Sequence, residues 1–135
     1  MLQTLILYYG ILQSVHLLAL LRAGYLFSRL NRMPFPAPPP PGGWAPQTVP
    51  FLIGMGLVDA VAIILALIFA YMWLSRRQLL ARLGLISLTI AGASAAIFAI
   101  GTFAGGAWAA HPLAYGVMVI LFAPLLPLFV LLARA

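Results

Sequence analysis

The chain has 135 residues, 65% of them hydrophobic and 6% charged, where a soluble domain carries roughly a quarter charged residues, so lipid must cover its exterior. Its net charge of +6 rests on arginines at the ends of apolar runs, a membrane-protein pattern that argues against nucleic acid as a partner. With no cysteine, one acid and two histidines, disulfides, thiolate metal centres, a carboxylate pair and a di-metal site are all excluded within the chain.

A spanning helix needs about 20 mostly apolar residues, and lipid forces the backbone to satisfy its own hydrogen bonds. The first such run is Leu2–Leu21, continuing as helix to about Leu30. It lacks a basic n-region and no small-x-small site follows it, so it reads as a retained membrane helix, not a cleaved signal. Tyr9, Gln13 and His16 fall at i, i+4 and i+7 and form its only extended polar stripe. The connection over 31–50, NRMPFPAPPPPGGWAPQTVP, is so dense in proline that an extended, polyproline-like loop is expected.

The second helix is expected over 51–75. It holds Asp59, the only acid in the chain, about eight residues and thus about 12 Å into the helix. That is too deep for a short side chain to reach water, so the carboxyl must be protonated, paired or turned to a polar cavity. Gly56, Asp59, Ala62, Ala66 and Ala70 share one stripe by their 3–4 spacing. Small residues admit a close neighbour helix, so Asp59 is expected to face protein. On antiparallel neighbours His16 falls at a similar depth, and a His16–Asp59 hydrogen bond or ion pair is the main intramolecular expectation. Tyr9 and Gln13 join the same group as buried-polar or proton-relay candidates.

The short, basic connection SRRQLLAR leads to a third helix over 79–106. Arg76, Arg77 and Arg82 cluster there at one membrane face, as topology determinants and ligands of lipid head groups. The third helix carries Ser87, Ala91, Ser94 and the GxxxG pair Gly101 and Gly105, which mark a tightly packing surface. After GGAWAAHP, the fourth helix is expected over 112–133, kinked by Pro124 and Pro127. His111 stands at the surface and His16 about two turns deeper, which argues against an intrachain bis-histidine haem. Trp44, Trp73 and Trp108 read as interfacial anchors.

The expected fold is therefore an all-α integral membrane protein, a single transmembrane domain over 1–135 with four helices in an antiparallel bundle. Arg76, Arg77, Arg82 and Arg134 on one side outnumber Arg22, Arg29 and Arg32 on the other. This bias favours cytoplasmic N- and C-termini, with a bacterial inner membrane as the expected site. No catalytic set, metal set or phosphate loop is present, so an enzyme acting alone is not expected. The chain alone is expected to bind no cofactor, with contact to lipid or a quinone left open. Two function classes survive. One is an accessory subunit stabilising a larger membrane complex, such as a respiratory or photosynthetic electron-transfer assembly, with other integral membrane subunits and phospholipids as partners. The other is a small oligomeric transporter using Asp59 as its proton-binding group.

Overall fold

A computed structural model describes residues 1–30 and 38–135. Arg32 and the first prolines of the long connection lie outside the described residues. The described chain is helical, in the order α1 (Leu2–Leu30), α2 (Thr48–Arg76), α3 (Ala81–Ala104), α4 (Ala107–Ala110), α5 (Pro112–Phe122) and α6 (Leu125–Ala133). Among the described residues, four segments are long and apolar enough to cross a membrane: Leu2–Arg29, Pro50–Arg76, Ala81–Ala104 and Pro112–Ala133. The protein is membrane-embedded, and its helices carry their apolar side chains outward. Leu18, Leu57, Ile64 and Ile100, for example, are all exposed, as lipid-facing positions require.

The helices form a ring in which α1 packs on α2, α2 on α3, and α6 closes against both α3 and α1. The best-filled part lies near the end that carries the N-terminus and the α2–α3 turn. There Ile6, Tyr9, Phe69, Leu88, Leu128 and Leu132 are buried together, with Leu2, Leu79 and Ala81 against them. Gly84 is what lets α6 come close. A Cβ at this position would stand 2.7 Å from Leu132 Cδ1 and 3.0 Å from the Phe69 ring. At the opposite end the packing is lighter, and α5 leans mainly on α4.

Several boundaries differ from the sequence expectation, including the end of α3, which falls at Ala104 and not at 106. The proline-rich loop stops at Gln47, because α2 begins at Thr48. Pro50 sits in the first helical turn, where its missing N–H costs no internal hydrogen bond. The α2–α3 turn is wider than expected, and α3 starts at Ala81. Its first turn is preceded by a left-handed stop on α2. Arg77 takes a left-handed conformation at φ 55, and Gln78 N–H bonds back to the Met72 carbonyl at 3.2 Å. The fourth span is broken, not merely bent. Pro124 cannot donate to the preceding turn, and the chain steps through an i+3 bond, Leu126 N–H to the Ala123 carbonyl at 3.2 Å. The Tyr8 hydroxyl then donates to the Leu121 carbonyl at 2.7 Å, supplying a partner from α1 at the break.

Candidate functional site

The polar stripe of α1 faces the bundle. Helical spacing puts Tyr9, Gln13 and His16 on one side, and α2 and α3 meet that side with small residues. Ala62, Ala66 and Ala70 are buried. A Cβ on Gly10 would lie 3.1 Å from Ala70 Cβ, and one on Gly56 would lie 3.3 Å from Leu20 Cδ1. Helices α1 and α2 therefore approach closely at two levels, and Asp59 lies between them.

At the N-terminal end of the stripe, Tyr9 OH and Ser87 Oγ are 2.6 Å apart. Ser87 Oγ also donates to the Ala62 carbonyl at 2.9 Å. A hydroxyl has one proton and a carbonyl can only accept, so Tyr9 must be the donor to Ser87. The resulting relay, Tyr9 to Ser87 to Ala62, ties α1, α3 and α2 together, and both side chains are fully buried. One turn on, Gln13 is 1% exposed, and its Oε1 has no hydrogen-bond partner among the described residues. Ser94 Oγ is in the same condition on α3.

A further turn along, His16 Nε2 lies 3.8 Å from Asp59 Oδ2, with 29% and 22% of the two side chains exposed. That is ion-pair range but longer than a hydrogen bond of about 2.7–3.2 Å. The arrangement sets an imidazole and a carboxyl side by side between α1 and α2. Among the described residues no group of three or more His, Cys, Asp or Glu could hold a metal ion.

The other sequence candidates separate. Gly56, Ala62 and Ala66 belong to the α1–α2 contact. Gly101 and Gly105 do not form the tight helix contact their spacing suggests. Both are exposed, and added Cβ atoms would meet nothing at Gly101 and only the helix's own carbonyls at Gly105. The inward face of α3 is carried instead by Gly84, Ser87, Leu88, Ala91, Ser94 and Thr102. Arg76, Arg77 and Arg82 are exposed at one face, and His111 is exposed between α4 and α5.

Two features escaped the sequence reading. Trp108 is more than an interfacial anchor: it stacks on Tyr115 at 5.2 Å between ring centroids, and its Nε1 donates to Thr102 Oγ1 at 2.9 Å. Tyr115 in turn donates to the Pro38 carbonyl at 3.0 Å, tying the proline-rich connection to α5. The Tyr8 contact at the α5–α6 break also went unforeseen, although Pro124 was a visible signal that some carbonyl would need another donor. No family model, no curated protein and no solved structure matches this chain.

Proposed function

We propose that the protein is a small accessory subunit of a larger multisubunit membrane complex, of the kind that carries electron transfer in respiration or photosynthesis. In this reading it lies in a bacterial inner membrane with both termini in the cytoplasm. The observation that supports it is the outward face of α3. Thr89, Gly92, Ala93 and Ala96 are all exposed, and a Cβ added to Gly92 would meet nothing within 4 Å. Small residues on one face of a membrane helix favour close approach by another helix, and no helix of the described chain uses this one. Meanwhile the Tyr9 and Ser87 hydroxyls are spent on holding the chain's own helices together. Gentle purification from native membranes tests the reading. Stoichiometric copurification with a membrane complex is expected, and Gly92→Leu with Ala96→Leu should abolish it while leaving the chain in the membrane. A chain that purifies only with itself sinks the proposal.

A specific observation favours a second reading. His16 and Asp59 pair inside the membrane-spanning region without being sealed from their surroundings, which suits a proton-coupled transporter acting as an oligomer. Proton-coupled flux from a homogeneous homo-oligomer, lost in Asp59→Asn, would select this reading over the first.

A further inference from the structure

The face that holds the α2–α3 turn contains a cleft of about 790 Å³, within the range of ligand-binding pockets. Its walls are apolar: Leu79, Leu80, Leu83 and Leu85 from the turn and the start of α3, and Leu132 from the end of α6. Arg82 lines it too. The long walls suit an alkyl chain, and the guanidinium suits an anion.

The charge distribution around the cleft points the same way. Arg76, Arg77 and Arg134 stand near Arg82 in sequence or at the adjoining helix end, and the chain's single acid is far away on α2. Leu80 offers no side-chain cap to α3, and no acid stands in its first turn, so the positive end of the helix is left unneutralised.

We infer that this cleft binds one anionic phospholipid, its phosphate at Arg82 and one acyl chain along the leucine walls. Arginine is suited to this role because its planar fork donates two hydrogen bonds to a phosphate. The inference concerns a different face from the α3 surface proposed above and does not depend on it.

The test uses the full chain, purified in mild detergent and examined by native mass spectrometry after equilibration with phosphatidylglycerol or phosphatidylcholine. One retained phosphatidylglycerol per chain is expected, with phosphatidylcholine retained at least about fivefold less, corresponding to about 1 kcal/mol per basic residue near an anionic lipid. Arg82→Gln should remove most of that preference. Ala133→Phe, which fills the cleft from the α6 side, should lower retention of both lipids. Arg22→Gln, at the far end of α1, should behave as the unaltered chain does. Millimolar inorganic phosphate should not displace the lipid. Equal retention of the two lipids overturns the inference, as does an unchanged preference in Arg82→Gln. Displacement by phosphate alone would show a simple anion site, and a lipid-free dimer closing the cleft would show a protein interface; either result overturns it.

Discussion

Ser87→Ala should be the most informative single substitution in the polar core. Ser87 Oγ receives the Tyr9 hydroxyl at 2.6 Å and donates to the Ala62 carbonyl at 2.9 Å. Tyr9 and Ser87 are both 0% exposed, so water cannot replace what is removed. The substitution strands the Tyr9 hydroxyl, and a buried unsatisfied donor costs about 1–3 kcal/mol. The Ala62 carbonyl loses only a supplementary partner, since it stays within the α2 backbone ladder. Tyr9→Phe removes the donor instead and leaves Ser87 bonded to Ala62. Its cost is one interhelical hydrogen bond, about 0.6 kcal/mol on average in membrane helices and at most about 1.7. Ser87→Ala should therefore be the more damaging. The double variant strands no group and should cost less than the sum by about 0.5 kcal/mol or more. Reversible unfolding in mixed micelles, followed by tryptophan fluorescence, measures all three. Equal costs for the two single variants, or strict additivity in the double, would refute the relay.

Three more outcomes are expected. A double-variant cycle with His16→Gln and Asp59→Asn should show coupling of at least about 0.5 kcal/mol in the same unfolding assay; additive losses would mean that the 3.8 Å approach carries no interaction. Gly84→Ala must displace Leu132 and the Phe69 ring, which its Cβ would meet at 2.7 and 3.0 Å, and should cost about 1–3 kcal/mol. Gly92→Ala meets nothing within 4 Å and should leave the melting temperature level or slightly raised, so equal effects at the two glycines would contradict the packing. Arg77→Gly should stabilise the α2–α3 turn by about 1 kcal/mol through relief of the left-handed backbone, whereas Arg77→Ala should not; a thermal shift assay separates them, and equal shifts would show that the turn is not strained.

The sequence carried the architecture because lipid imposes one rule on every spanning segment, and long apolar runs satisfy it in only one way. It also carried the direction of Asp59. The Gly56–Ala62–Ala66 stripe needs only helical spacing to be legible, and His16 follows from counting rise per residue from the shared membrane edge. What stayed hidden depends on lateral arrangement. Ser87 was visible as a small residue on α3, but its place beneath the Tyr9 hydroxyl follows from how three helices meet, which no single helix encodes. Gly101 and Gly105 belong with it: their spacing permits close approach, yet no helix of the described chain makes that approach. Pro50 shows a local rule read too broadly. Proline forbids the interior of a helix but suits its first turn, so the loop ends earlier than its composition suggests.

The hydroxyl that Tyr8 lends to Leu121 has a consequence for biogenesis. A fourth span inserted alone would present the carbonyls around its Pro124 break to hydrocarbon, where each unsatisfied group costs several kcal/mol. The donor that relieves this comes from α1, 113 residues earlier in the chain. Because the ribosome delivers α1 first, the donor is already in the bilayer when the broken segment leaves the translocon. Reversing that order, by circular permutation that places the fourth span ahead of the first, would leave the break waiting for its partner and open to the quality-control proteases of the membrane.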